Sequence, residues 1–250
     1  MLSLKSLDIV GSRSELASIP DGKTLINTIN AHSYNVAQKD ALFAEALTRC
    51  DFLIPDGASI VKACRFLGAK SQPCERIAGW DLFKAEMDRL ETGGAAGGNC
   101  QRRVLFVGST DKVLSLIREK ASHEYPHLGV ETYSPPYKAA FSEEESAAIV
   151  DVINSSDPDL LWIGMTAPKQ EKWIWSHWNE LDIHCHCGCI GAVFDFYAGT
   201  AKRAPLWWQK HSLEWLYRLI KEPGRMWRRY LVGNTRFIAS MISEKLNHEL

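Results

Sequence analysis

No stretch of this 250-residue chain approaches the roughly 18 uninterrupted apolar residues that a membrane-spanning helix needs. Any membrane contact is therefore expected to be peripheral. The opening MLSLKSLDIV lacks a basic segment followed by a long apolar run, and the seven cysteines are an odd number. Free thiols in a reducing, cytoplasmic compartment are the reading, rather than a disulfide framework. A full Gly-x-Gly-x-x-Gly fingerprint is also missing, which removes the phosphate loop that a nicotinamide or flavin oxidoreductase would need. Net charge is nearly absent: 29 Lys and Arg stand against 30 Asp and Glu, a formal −1. That balance argues against a nucleic-acid binder.

What the chain does have is a hydrophobic content of 46%, enough to fill a real core at this length. Its charge is also unevenly spread. Residues 201–250 hold ten Lys and Arg and four Glu, a net +6, so the remainder carries −7. A basic segment set against an acidic body suggests that the segment meets an anionic surface or ligand.

Apolar runs alternate with helical periodicity along the sequence. Strands are expected at 24–30, 52–57, 103–109, in GVETYSPP, at 160–165 and at 183–191. Helices are expected at 31–51, 58–68, roughly 79–91, after 110, after the Ser142-x-x-Glu145 capping box, and in PKQEKWIWSHWNEL. This alternation predicts an α/β fold, Rossmann-like, with a mostly parallel sheet flanked by helices and a basic helical C-terminal appendage. The Gly-rich TGGAAGGN at 92–99 reads as a hinge or insertion. Residues 1–205 form the expected core and 206–250 the appendage.

Such sheets bind ligands at the carboxyl ends of their strands, and four polar groups stand there. Thr28 and Asn30 share one strand face, although Asn30 alone reads as a helix N-cap. Asp56, between Pro55 and Gly57, is either a turn residue or a general base facing a cleft. Gly108 ends the strand RVLFVGS, where a diphosphate could approach backbone and helix N-terminus. Gly164, Pro168, Lys169, Gln170 and Glu171 crowd the start of another helix. Further on, Asp195 could meet a base or ribose and Arg203 a phosphate, or the two could pair with each other. The run His184, Cys185, His186, Cys187, Cys189 invites a zinc reading, but strand alternation sends cysteines and histidines to opposite faces. A buried strand using Cys as a small apolar residue fits better.

Taken together, Thr-x-Asn at 28–30, Pro-Asp-Gly at 55–57, Glu-Arg-Ile-x-Gly-x-Asp at 75–81, Ala-Pro-Lys-Gln-Glu at 167–171, Phe-Asp-x-x-x-Gly at 194–199, Arg-Ala-Pro at 203–205 and the Leu-Glu-Trp-Leu-Tyr-Arg run from 213 to 228 resemble the WecG/TagA/CpsF glycosyltransferase family, family 26, over nearly the whole chain. The resemblance implies an inverting, metal-independent enzyme without cofactor. Such an enzyme moves N-acetylmannosamine, its uronic acid or a related hexose from a UDP-sugar to a polyprenyl-diphosphate-linked acceptor. It implies Asp56 as base, with Thr28, Asn30, Arg76 and Gln170 lining the same pocket, and Gly108, Gly164, Pro168 and Asp195 near the nucleotide. Arg203, Arg218, Arg225 and Arg228 would meet diphosphate or acceptor. The appendage, with Trp207, Trp208, Trp215 and Trp227 among its cations, would lie on the inner, anionic face of the membrane. Self-association through an apolar patch is a further expectation. A non-catalytic nucleotide-sugar or polyprenyl-phosphate binding protein is the alternative.

Overall fold

Six apolar runs become six strands: β1 (Thr24–Ile29), β2 (Phe52–Pro55), β3 (Arg102–Gly108), β4 (Leu128–Tyr133), β5 (Leu160–Gly164) and β6 (His186–Cys189). In the computed structural model, which describes residues 2–96, 101–211 and 213–246 apart from the side chains of 94–96, 210 and 225, all pairings are parallel. The order is β2-β1-β6-β5-β3-β4. Helices cover both faces, so β5 and the VLFV run of β3 are apolar throughout rather than alternating, whereas β1 buries Thr24 and Asn27 and β6 buries His186. Leu160 and Trp162 of β5 enter one core layer with Phe83, Phe106, Phe194 and Tyr197. Leu161 and Ile163 enter the other with Leu105, Val107 and Trp173. Side-chain alternation along a strand accounts for the division. Gly188 of β6 sits where Trp162 crosses, and a Cβ there would stand 2.3 Å from the indole.

Cys185, Cys187 and Cys189 all lie in the second layer, and burial pushes their thiols up. His186 faces the other way. Its Nδ1 meets the buried Glu86 Oε2 at 3.0 Å, while Nε2 meets the Pro20 carbonyl at 2.9 Å. Among the described residues no group of three His, Cys, Asp or Glu could hold a metal ion.

Several boundaries differ from the sequence expectation. The helix read over 31–51 is two helices, α1 (Ala31–Ala37) and α2 (Ala41–Thr48). Asp40 starts the second by accepting the Phe43 N–H at 3.1 Å, the usual preference of Asp for an N-cap. After α3 (Ala58–Leu67), α4 runs over Gly79–Ala96 and absorbs the first half of the Gly-rich stretch; residues 97–99 lie outside the described ones. α5 (Asp111–Glu124) and α6 (Glu143–Ser156) follow, the latter with the expected Ser142–Glu145 capping box. α7 (Lys169–His177) ends earlier than the pattern suggested, in a 3₁₀ turn. The strand expected at 183–191 is confined to β6, and Gly191–Ala198 is helix α8.

The C-terminal segment carries α9 (Leu206–Lys210), α10 (Glu214–Lys221), α11 (Pro223–Trp227), a π-helical turn over Arg228–Val232, and α12 (Gly233–Leu246). Its far end is no loose appendage. Phe237 and Met241 of α12 are buried with Leu2, Leu4, Leu7 and Tyr34. Phe237 stands edge-on to Tyr34 at 5.3 Å between centroids. Glu244 accepts from Ser3 Oγ, the Lys5 N–H and Tyr34 Oη at 2.6, 3.0 and 3.0 Å, and that carboxylate, after burial, raises the Tyr34 phenol. Asn35 Nδ2 donates to the Gly233 carbonyl at 2.7 Å.

Glu171, in the first turn of α7, is 2% exposed. Its Oε1 accepts from Gln170 Nε2 at 2.8 Å, and its Oε2 is buried without a hydrogen-bond partner. Burial pushes this carboxyl up from 4.5 to about 7.

Two outcomes follow. Phe237→Ala, which empties the space between α12 and α1, is expected to cost about 3–5 kcal/mol in urea unfolding; an unchanged midpoint would mean that α12 is not docked. Glu171 keeps a proton in the folded state that the unfolded chain releases, so its contribution to stability is complete below pH 4.5 and declines as pH rises to about 7. Between pH 5 and pH 8, wild type should therefore lose more urea stability than Glu171→Gln. Parallel losses in the two proteins would contradict the buried, protonated acid.

Candidate active site

Parallel pairing of β1 with β2 sets Ile29 opposite Pro55, so the two strands end side by side. The Asp56 N–H donates to the Ile29 carbonyl at 2.9 Å, which fixes Asp56 beside Asn30. Gly57 then turns the chain at φ +154°, a conformation that L side chains rarely adopt, and α3 begins. On the β1 side, Asn30 Oδ1 accepts the His32 and Ser33 N–H groups at 3.0 Å each, and Ser33 Oγ accepts the Asn30 N–H at 2.7 Å. Asn30 is thus the cap of α1 and stands next to the Asp56 turn. Thr28, half-buried, faces Ile54 in the register below.

The Glu-Arg-Ile-x-Gly-x-Asp loop is brought over this turn by the Ile77 N–H, which donates to the Pro55 carbonyl at 3.1 Å. Asp81 Oδ2 accepts the Ala78 N–H at 2.8 Å, and Arg13 braces the loop through Glu75, Asp81 and the Arg76 carbonyl. Arg76 is left pointing at Asp56, Nε to Oδ1 at 3.8 Å. Its other partner is Glu214 of α10. Glu214 Oε1 also accepts from Arg203 Nε at 3.4 Å, and the Arg203 guanidinium lies 5.5 Å from the Trp80 ring centroid.

Asp56 keeps about a third of its side chain accessible (34%). Crowding by protein raises its carboxyl above the ordinary value; Arg76 lowers it, Glu214 raises it, and Arg218 and Arg229 lower it. Burial, followed by the Arg229 charge, holds His32 down at about 4. A carboxylate raised by its surroundings yet surrounded by fixed cations is suited to accept a proton from a hydroxyl while an anion is held close by.

A second strand-end feature lies between β3 and β5. The chain leaves β3 toward β4 on one side and β5 toward β6 on the other, which makes this pair the switch point where open parallel sheets bind ligands. Gly108 and Gly164 face each other there. The Ser109 N–H donates to the Gly164 carbonyl at 3.0 Å, and a Cβ on Gly108, at φ +124°, would stand 2.4 Å from that oxygen. The space over Gly164 is filled by the Phe194 ring, where a Cβ would come within 2.4 Å. Pro168, after a cis peptide bond, is the N-cap residue of α7.

Not every expected site residue converges. Gln170 is buried: its Oε1 accepts the Met165 and Gly191 N–H groups at 3.1 and 3.2 Å, so its amide ties the β5–α7 loop to the start of α8. Asp195 is exposed on α8 and accepts from Thr200 Oγ1 at 3.1 Å. It forms no pair with Arg203, which turns to Glu214 instead. Arg218 lies over the Phe196 ring at 5.0 Å and acts on Asp56. Arg228 is exposed on Trp227, whereas Arg229, the next residue, carries its charge toward Asp56 and His32. The helix breaks at Glu222, φ −135° and ψ 60°, between α10 and α11, which shifts the face that 3.6-residue spacing from Arg218 assigns. The side chain of Arg225 lies outside the described residues. Glu214, Arg229, His32 and Trp80 are the additions that sequence reasoning missed. Trp80 and Glu214 fall inside the quoted motifs, which was the available signal.

Two open cavities lie elsewhere. One, of about 450 Å³, is lined by Asp21, Arg89, Arg102, Asp157, Asp159 and His184 at the amino ends of the strands. Its arginines are already paired: Arg89 with Glu86 and Asp21, and Arg102 with Asp159. The other, of about 410 Å³, lies between Arg103, Glu131 and Asp151. The chemistry-bearing groups are at the carboxyl ends, beneath the C-terminal helices.

The chain has relatives among known proteins. The chain is 30% identical over 223 residues, 89% of its own length and 80% of the relative's, to an N-acetylglucosaminyldiphosphoundecaprenol N-acetyl-beta-D-mannosaminyltransferase of Bacillus subtilis (strain 168). Proteins with the same description from Bacillus spizizenii and Staphylococcus aureus (strain MW2) are each 29% identical, over 85% and 81% of this chain and 75% and 74% of their own lengths. The profile described as the glycosyl transferase WecG/TagA/CpsF family matches residues 5–250, and with that coverage the chain belongs to this family of glycosyltransferases.

Proposed function

We propose that the protein transfers N-acetylmannosamine, or a closely related hexose, from a UDP-sugar to a polyprenyl-diphosphate-linked acceptor, with Asp56 as the general base. The placement of Asp56 carries the reading: a carboxyl raised by its surroundings, at a parallel-strand end, with Arg76 at 3.8 Å and Arg218 and Arg229 acting on it. The relatives' names supply the acceptor class and the sugar.

In this reaction Asp56 takes the proton of the acceptor hydroxyl as its oxygen attacks the anomeric carbon and the bond to the diphosphate breaks, inverting the configuration. The departing negative charge falls to Arg76, Arg203 and Arg218, and to backbone N–H groups in the first turn of α5, which follows Gly108. Thr28 and Asn30 shape the floor beside the base. Gln170 acts from below, by fixing the loops around Gly164 and Gly191. No metal is needed in this scheme, because the arginines meet the diphosphate.

The C-terminal segment supplies the surface on which a lipid acceptor would arrive. Of the eleven large apolar side chains exposed among the described residues, eight lie between Leu206 and Leu246. Ile238, Ile242 and Leu246 follow one another at four-residue spacing along α12, with Arg236 and Lys245 nearby. None of the described helices is long and apolar enough to cross a membrane. Contact of this basic, apolar face with the inner, anionic surface of the cytoplasmic membrane is the arrangement we favour over pairing of two copies.

In an assay with UDP-N-acetylmannosamine and a synthetic lipid-diphosphate-linked N-acetylglucosamine, wild type is expected to transfer sugar with a chelator present. Asp56→Asn should lower kcat by about 10²- to 10⁴-fold while still binding UDP. A substituted enzyme that keeps its rate would remove Asp56 from the mechanism, and a wild type that binds UDP without transfer would favour a binding protein. Binding to phosphatidylglycerol vesicles should weaken steeply with salt; salt-insensitive binding, or none, would leave the apolar face for another partner.

A further inference from the structure

α10 is attached to the body of the protein by polar groups. None of its residues is fully buried, and the π turn that follows α11 has no buried residue either. Met226 of α11 is buried, whereas Trp215, Leu216, Tyr217 and Leu219 of α10 are only half-buried, so apolar burial, the usual force that docks a helix, is shallow along α10 itself. What holds the start of α10 is Glu214, only 17% exposed, whose two carboxylate oxygens reach Arg76 and Arg203 separately. Both arginines belong to the body: Arg76 on the loop over Asp56, and Arg203 against Trp80.

We propose that Glu214 is the positioning residue that completes the site, docking α10 onto Arg76 and Arg203 so that the charge of Arg218 is brought to bear on Asp56. The inference rests on the reading of Asp56 as the transfer site. Glu214 and Arg218 are four residues apart on one helix, hence neighbours on one face. With Glu214 seated, Arg218 falls on Phe196 of α8, and its charge lowers the Asp56 carboxyl. Arg229, further along the same segment, is placed from the opposite side by α12, which the core already holds.

A competing arrangement would make the Glu214 carboxylate a stand-in for a ligand's diphosphate, to be displaced when the ligand binds. The geometry speaks against it. Expelling Glu214 would carry Arg218 away on the same helix and strip the site of a cation at the moment an anion arrives. A docked Glu214 keeps one lobe of each guanidinium occupied and leaves the rest of the arginine fork for the ligand, since Arg carries five donors.

The test uses the full chain with Glu214→Ala and Glu214→Gln. Trypsin cleavage after Arg218 and Lys221 should be faster by at least about tenfold in the Ala variant, with the urea midpoint of the body unchanged. UDP affinity and kcat should both fall by about tenfold or more, as expected when one partner of a shared ion-pair network is removed. The Gln variant, which keeps the shape and a hydrogen bond, should fall between Ala and wild type. Cleavage at the wild-type rate would overturn the docking role, and tighter UDP binding by either variant would show the displaced-anion arrangement instead. Proteolysis requires no turnover, so it answers the Glu214 question even if wild type transfers no sugar, an outcome that would count against the proposed reaction alone.

Discussion

One guanidinium, that of Arg76, is shared by two carboxylates that come from opposite ends of the chain. Asp56 belongs to the sheet and Glu214 to the C-terminal helices, and this contact joins the two at the strand ends. The constraint is built from the backbone upward. Parallel pairing brings Ile29 level with Pro55, the Asp56 N–H closes on Ile29, and the Ile77 N–H closes on Pro55. These bonds leave Arg76 little choice of position. The body alone would then present an acid beside a single arginine; the C-terminal segment converts that into an acid among several.

Influences of both signs act on Asp56. Crowding and Glu214 push the Asp56 carboxyl up, and three arginines pull it down. A base must be strong enough to take a hydroxyl proton yet ionised when the substrate arrives, and opposing influences on one group meet both needs. In the proposed reaction the arginines that favour the charged form of Asp56 are also suited to an anionic leaving group. Glu171, by contrast, has only Gln170 to meet its charge, and burial wins there.

Much of the fold could be read directly from residues. Alternating apolar runs and helical periodicity give the parallel sheet, since only strands covered on both faces are apolar throughout, as in LLWIG. Asn30 as a cap and the Ser142–Glu145 box are local chemistry and emerged as expected. The failures share a physical cause, which is dependence on distant partners or on geometry outside the standard period. Asp40 splits a helix that hydrophobic spacing joined. Gln170 looks like an exposed polar residue at a helix start but is consumed by two backbone N–H groups from separate loops. Arg229 rather than Arg228 carries its charge toward Asp56, and the helix break at Glu222 between Arg218 and this pair upsets the 3.6-residue count. Glu214 finds its partners on a loop far earlier in the chain, which no local pattern announces. α12 was unmarked for the same reason: its buried side chains meet the N-terminal segment and α1.

The most direct measurement is a crystal structure of the full chain with UDP bound. The pyrophosphate should lie at the carboxyl ends of the strands, hydrogen-bonded to Arg76 or Arg203, with the Asp56 carboxylate opening into the same space and Glu214 still seated. UDP in the cavity at the amino ends of the strands, or an Asp56 side chain turned away from the pyrophosphate, would contradict the account.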